Sequence, residues 1–115
     1  LLTIKTDNPA YSYSKLDKNG LVIETAEKEV ISSNGNVGFY CFKKGSQFVK
    51  YAEELVEKNI RSKNEFYVAP LYNLLIRDGL KIGIHPIEEQ FHMGTPDELT
   101  NFIENDLENI KNENT

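Results

Sequence analysis

Three short stretches of this 115-residue chain combine residue types that could do chemistry. The first is Glu27-Lys28, an acid and a base side by side. On an extended chain neighbouring side chains point to opposite faces, so one can enter a cleft while the other braces its rim. The second is Glu65-Phe66-Tyr67-Val68-Ala69-Pro70-Leu71-Tyr72-Asn73, where one acid, two phenols and an amide interleave with apolar residues, a mixture suited to binding hydroxyls. The third is Phe91-His92-Met93-Gly94-Thr95-Pro96, a loop that runs into a helix start, where free N–H groups and the helix dipole favour anions. Each stretch also has a plain structural reading: a surface ion pair, a strand or turn leading into a core helix, and a well-capped helix.

The elements that position these stretches follow from local patterns. Residues 1–6 (LLTIKT) are expected to form a strand that ends at Asn8-Pro9, because proline fixes φ and disfavours helix just before itself. Tyr11–Leu16 and Leu21–Ala26 flank Asp17-Lys18-Asn19-Gly20, a turn sequence that readily takes positive φ, so they form a hairpin. Asn36–Phe42 (NVGFYCF) is apolar on both faces, and a central buried strand is expected there. Ser46 is placed as the cap of a helix reaching about Asn59, with Phe48, Ala52, Leu55, Val56 and Asn59 facing the sheet and Lys50, Glu54 and Lys58 outside. Pro70 starts a second helix, carrying Leu71, Leu74 and Leu75, which Gly79 stops. Lys81–His85 is the next expected strand. Thr95-Pro96-Asp97-Glu98 is a capping box for a last helix with a buried stripe of Leu99, Phe102, Ile103, Leu107 and Ile110. Alternating strands and helices predict an α/β class with a mixed sheet and flanking helices.

Composition narrows the functions. The formal net charge is −5, and residues 97–115 carry six acids against Lys111, while the rest is balanced. No basic stripe is present to track a phosphate backbone, so no nucleic-acid partner is expected. The apolar runs are only a few residues long, far below the ~20 that cross a bilayer, so no membrane partner is expected either. The single cysteine, Cys41, excludes an internal disulfide framework and is expected to be a small buried hydrophobe in a reducing, cytoplasmic setting. No signal peptide opens the chain, which starts at Leu1 rather than Met, so a preceding segment is expected. The seven glycines form no Gly-x-Gly-x-x-Gly and no Gly-Lys-Ser/Thr phosphate loop, and Gly-x-Ser-x-Gly and His-Glu-x-x-His are absent.

Taken in order, ETAEK (Glu24–Lys28), NVGFYCFKKGSQF (Asn36–Phe48), NEFYVAPLYNLLIRDG (Asn64–Gly79) and MGTPDEL (Met93–Leu99) resemble the second, acceptor-binding half of nucleotidyltransferases of the sugar-phosphate type, those of capsule and surface-polysaccharide biosynthesis above all. The resemblance runs to about Asp106, giving a nucleotidyltransferase portion over 1–106 and the helix end with a polar tail over 107–115. It implies a partial Rossmann-like sheet of the kind shared with GT-A glycosyltransferases. It also implies a reaction that joins an NTP to a phosphorylated acceptor, a sugar 1-phosphate or a smaller compound, with release of pyrophosphate and with Mg²⁺ as cofactor. Lys28 matches the lysine that neutralises the acceptor phosphate, Glu27 the acid that bonds acceptor hydroxyls, and Gly38 a glycine that lets backbone approach the acceptor. Tyr13, Glu65, Tyr67 and Asn73 align as pocket-lining candidates, and Thr95 is expected to order its loop.

Two departures from the family pattern stand out. His92 replaces an aspartate that helps to hold the metal, and is a poor partner for hard Mg²⁺. Glu29 and Val30 follow the lysine where many members have proline. The family's nucleotide-gripping half has no counterpart here, so this chain alone is expected to be inactive. A first strand cut from a larger sheet would leave an open edge, through which a homodimer is expected. The alternative to an enzyme portion is a non-catalytic α/β module that binds a small phosphorylated ligand or a protein partner.

Overall fold

The turn at Asp17–Gly20 organises the first hairpin in the manner its residues predict. Gly20 has φ of +82°, and the Asp17 carboxylate accepts the backbone N–H groups of Asn19 and Leu21 at 2.8 and 3.0 Å. The turn joins β2 (Ser12–Leu16) to β3 (Val22–Glu27), an antiparallel pair with Ser14 opposite Thr25 and a bulge at Lys15/Leu16. The structure, a computed structural model, describes residues 1–114. Its sheet adds β1 (Leu2–Lys5), β4 (Asn34–Asn36) and β5 (His85–Pro86) in the order β3-β2-β4-β1-β5. The pairing of β1 with β5 is parallel and the others are antiparallel, so the sheet is mixed, as expected.

β1 lies between β4 and β5, so at Leu2 and Thr3 it is covered on both sides and is not the open edge expected as the route to a homodimer. The true edges are blunted. On β3 the N–H of Val22 is taken by the Ile82 carbonyl at 2.8 Å. On β5, Pro86 has no N–H to offer.

The expected central strand over 36–42 is much shorter. Only Asn34–Asn36 forms a strand; Gly38, with φ of +86°, interrupts the ladder, and Val37 and Phe39 on either side of it bond to Leu2 at 3.1 and 3.4 Å. Gly35 is needed inside that strand: a Cβ there would lie 2.5 Å from Cγ2 of Thr6. Beyond Gly38, Tyr40 and Phe42 turn inward onto the Tyr72 ring, with centroids 6.1 and 4.9 Å away. Phe39 and Cys41 face outward and are exposed, so Cys41 is not the buried residue expected. Only one side of this segment has a helix to cover it.

Helix α1 (Gly45–Glu57) starts one residue before Ser46, which therefore caps nothing; Lys44 stands at the N-cap without a side-chain bond. Its buried residues are Tyr51 and Leu55, with Ala52 packed against them and Phe48 against the Phe42 ring, while Val56 is exposed, so the stripe is rotated toward Tyr51 from the expected one. The rotation has a cause: α1 packs on α2 (Leu71–Arg77) and not on the sheet. Tyr51, Leu55, Leu71, Tyr72, Leu74 and Leu75 form one core cluster between the two helices. Glu54 pins them together, accepting from Lys58 at 2.7 Å and from both terminal nitrogens of Arg77 at 2.7 and 3.0 Å. Helix α2 stops where Gly79 takes φ of +81° and Leu80 N–H closes on the Leu75 carbonyl at 3.0 Å.

The strand expected over 81–85 shrinks to β5, since residues 81–84 run beside the hairpin end without a ladder of their own. Thr95 caps α3 (Pro96–Asn101) through a full capping box. The chain continues through a π-helical stretch over Phe102–Asp106 into α4 (Leu107–Glu113). The expected buried stripe is not buried: Leu99 and Ile103 are exposed, and Phe102 meets the Phe91 ring with centroids 5.4 Å apart. Among the described residues no helix is long and apolar enough to cross a membrane.

Candidate ligand-binding site

The ends of three strands meet a loop at one place. Tyr11 leads into β2, which Ser12 opens, Glu27 closes β3, Asn36 closes β4, and Val37, Gly38 and Tyr40 follow it. With Gln90, His92 and Glu98 across from them, they line a hollow of about 390 Å³. A second hollow of about 480 Å³ takes in Lys28, Arg61, Lys63, Pro70 and Asn73, and Glu27 lines both.

Of the residues singled out in the sequence, Glu27, Gly38 and His92 therefore share the first hollow. The Glu27 carboxyl forms no hydrogen bond or ion pair among the described residues, and burial pushes its pKa up, against the pull of Lys28. At Gly38 the space where a Cβ would stand is open, so the backbone faces the hollow uncovered. Glu98 lines the same hollow while its carboxylate accepts the backbone N–H groups of Gly94 and Thr95 at 3.0 and 3.1 Å. The Thr95 hydroxyl accepts the Glu98 N–H at 3.2 Å, completing the capping box, and does not itself line the hollow.

Lys28 lines the second hollow and not the first, and stands at the rim of the first only as the neighbour of Glu27, which borders both. Its backbone is left-handed, with φ of 56°, a conformation that costs a non-glycine residue roughly 1–2 kcal/mol. Its N–H donates to the Tyr11 carbonyl at 3.0 Å, and its side chain is exposed. The ammonium donates to the Tyr67 hydroxyl at 2.8 Å, and Tyr67 donates to Oε2 of Glu65 at 2.6 Å. The Tyr67 hydrogen bond holds the Lys28 pKa above the usual amine range. Glu65 is set in place by a turn in which Ser62 and Glu65 exchange both backbone hydrogen bonds, at 2.9 and 3.0 Å. Lys63 and Asn64 between them have φ of 50° and 68°, the sign that a type I′ turn requires.

Two candidates do structural work instead. Tyr13 is fully buried and its hydroxyl donates to the Asn8 carbonyl at 2.6 Å, so it belongs to the core and lines neither hollow. Asn73 borders the second hollow, but its carboxamide is spent on Thr25: Oδ1 accepts the backbone N–H at 2.7 Å and Nδ2 donates to the backbone C=O at 2.8 Å. The amide acts as a one-residue neighbour strand that fastens α2 to the edge of β3.

Other lining residues escaped the sequence reading. Ser14 donates to Asn36 Oδ1 at 2.7 Å, and Asn36 Nδ2 donates to Ser12 Oγ at 3.0 Å. Ser12 in turn lies 3.3 Å from the Tyr40 hydroxyl, so a buried polar chain ends in a phenol at the hollow. Either hydroxyl can donate in that contact, since Ser12 Oγ keeps a second lone pair after accepting from Asn36. Burial pushes the Tyr40 and Tyr11 hydroxyls up from the usual phenol range. Gln90 Nε2 donates to the Val37 carbonyl at 3.2 Å, while its buried Oε1 has no protein partner. The available signal was the period-two run of small polar residues at 12, 14, 34 and 36, polar where an inward strand face should be apolar.

His92 is the remaining candidate. Its Nε2 contacts the Tyr11 hydroxyl, and the two rings meet edge to face with centroids 5.4 Å apart. Among the described residues no group of three His, Cys, Asp or Glu side chains could hold a metal ion. Mg²⁺ demands a nearly complete oxygen shell, and an imidazole already engaged by a phenol does not fit that need.

The chain is similar to known proteins over most of its length. The chain is 32% identical over 101 residues to the bifunctional protein GlmU of Caldicellulosiruptor saccharolyticus, a match covering 81% of this chain and 21% of that protein. It superposes on the crystal structure of a nucleoside-diphosphate-sugar pyrophosphorylase from Vibrio cholerae RC9 with a TM-score of 0.83 and 33% identity, over 90% of this chain and 45% of that one. The chain thus spans about a fifth of the first relative and under half of the second. Its mixed α/β fold is that of the matched portion of the pyrophosphorylase. No protein-family profile matches the chain.

Proposed function

We propose that this chain is the acceptor-binding portion of a sugar nucleotidyltransferase, which joins an NTP to a sugar 1-phosphate and releases pyrophosphate in the cytoplasm, for surface-polysaccharide precursors. One observation carries the reading: consecutive residues put an unpartnered carboxylate, Glu27, inside a polar hollow and an exposed ammonium, Lys28, on its rim. A ligand with hydroxyls at one end and a phosphate at the other matches that order. The hydroxyls donate to Glu27 and accept from Tyr40, and the open backbone at Gly38 leaves room for the ring. Glu65 and Tyr67 act from the lysine's side.

In the reaction a phosphate oxygen of the acceptor attacks the α-phosphorus of the NTP. The new P–O bond forms as the bond from the α-phosphorus to the α,β-bridging oxygen breaks, and pyrophosphate departs. Several anionic oxygens converge, so positioning and positive charge supply most of the catalysis. Lys28 is the cation this chain contributes, on the side where the acceptor phosphate is exposed to an incoming nucleotide. Groups that hold the nucleotide and Mg²⁺ belong to residues outside this chain, which on its own binds acceptor without turning it over.

The test is calorimetric titration of the chain with glucose 1-phosphate and with glucose. The sugar phosphate binds and loses roughly tenfold in affinity in Lys28→Met, the size of one charge-assisted hydrogen bond. Equal binding of the two ligands, or none, overturns the reading.

A further inference from the structure

We propose that Tyr67 is a positioning residue whose phenol, with its own proton committed to Glu65, holds the Lys28 ammonium at the rim with N–H bonds left over for a phosphate. The inference rests on Lys28 as the phosphate-binding cation. A phenol has one hydrogen to give, and that of Tyr67 goes to Glu65 Oε2 at 2.6 Å. Its oxygen is then left only to accept, and what it accepts is Nζ–H of Lys28 at 2.8 Å. The proton order is fixed from the carboxylate outward: Glu65 orients Tyr67, and Tyr67 orients Lys28.

An ammonium has three N–H bonds, and Tyr67 uses one. Lys28 has no carboxylate among its hydrogen-bond or ion-pair partners, so the other two remain for an anion without a competing salt bridge. At the other end of the side chain the backbone is fixed by its left-handed conformation and by the bond to the Tyr11 carbonyl. A four-carbon stem held at both ends has already lost much of the freedom that anion binding would otherwise remove. An acid in the place of Tyr67 would neutralise the lysine, whereas a phenol steers it and leaves its charge unspent.

The experiment compares the wild-type chain, Tyr67→Phe and Lys28→Met in titrations with glucose 1-phosphate, with glucose as the control. Tyr67→Phe keeps the ring and removes the oxygen. Its affinity for the sugar phosphate falls roughly 2- to 10-fold, the range of one neutral hydrogen bond or one immobilised side chain, with an unchanged response to glucose. A second readout follows the Lys28 Cε resonance against pH: the ammonium titrates at lower pH in Tyr67→Phe, a shift that loss of packing alone would not cause. Unchanged or tighter binding in Tyr67→Phe while Lys28→Met weakens it overturns the positioning role and leaves the lysine's role standing. No effect of Lys28→Met, or no wild-type binding, overturns both. A Lys28 titration that does not move in Tyr67→Phe also overturns the positioning role.

Discussion

Replacing Asn73 with alanine should loosen the joint between α2 and the sheet more than any other change at the rim. The side chain supplies both hydrogen bonds to the backbone of Thr25, at 2.7 and 2.8 Å, and accepts from the Thr25 hydroxyl at 3.1 Å. Thr25 is only 2% exposed, and its hydroxyl also donates to the Ala69 carbonyl at 2.6 Å, which keeps that group satisfied after the substitution. What is orphaned is one backbone N–H and one backbone C=O. A buried unmet group costs about 1–3 kcal/mol, and water entering the vacated space recovers part of it, so the loss should be about 2–4 kcal/mol. At about 4 °C per kcal/mol for a chain of this size, the melting temperature should fall by about 8–16 °C. Asn73→Asp adds a sign to the test. The carboxylate still accepts from the N–H, but its second oxygen faces the Thr25 carbonyl where an N–H stood. The folded state therefore favours the neutral acid and raises its pKa above the unfolded value, so the penalty is full above the folded pKa and fades as pH falls through it. Circular-dichroism melts and amide exchange at Thr25 are the assays. An Asn73→Ala chain within 0.5 kcal/mol of wild type, with Thr25 still protected, would refute the clamp.

Three other substitutions act on single contacts or backbone angles. Gly35→Ala should cost about 1–3 kcal/mol because the new methyl lands 2.5 Å from Cγ2 of Thr6, and Thr6→Ser, which removes that methyl, should restore much of it in the double variant; urea unfolding of the three variants gives the coupling. Glu54 and Asp78 are both held down to about 2, chiefly by Arg77, so their stabilisation is complete above the unfolded carboxylate range near pH ~4 and is lost as pH falls toward 2. In Arg77→Met both carboxyls return toward their ordinary range, so this contribution shrinks and less stability is lost between pH ~4 and 2, as urea unfolding at pH 7 and pH 2 will read. Gly38→Ala should destabilise by about 1 kcal/mol through its φ of +86° alone, since the new methyl meets open space; any loss of sugar-phosphate affinity well beyond that seen in thermal stability marks the backbone as a ligand contact.

What could be read from the residues was what short-range chemistry determines. The Asp17–Gly20 turn, the Gly79 stop and the Thr95 capping box all form as their side chains and backbone preferences require. Elements whose limits depend on cover from elsewhere could not be read. The 36–42 segment is apolar on both sides, yet it meets a helix on only one, so Cys41 ends in solvent. The stripe on α1 rotates because its partner is α2, a fact that no local pattern holds. The same holds at the site. Tyr11 and Tyr13 are two residues apart, but the hollow is at the end of β2, so Tyr11, just before the strand, lines it and Tyr13, inside the strand, is sealed in the core. Asn73 looked like a pocket amide, and only the approach of α2 to β3 shows that its hydrogen bonds are already used.

The most direct measurement is a heteronuclear NMR titration of the chain with glucose 1-phosphate, following every backbone amide. The account predicts that shifts gather at Tyr11–Ser12, Glu27–Lys28, Val37–Gly38 and Gln90–His92, four segments far apart in sequence that border one hollow and its rim. Saturable shifts confined to other surfaces, or a spectrum unmoved by the ligand, would contradict it.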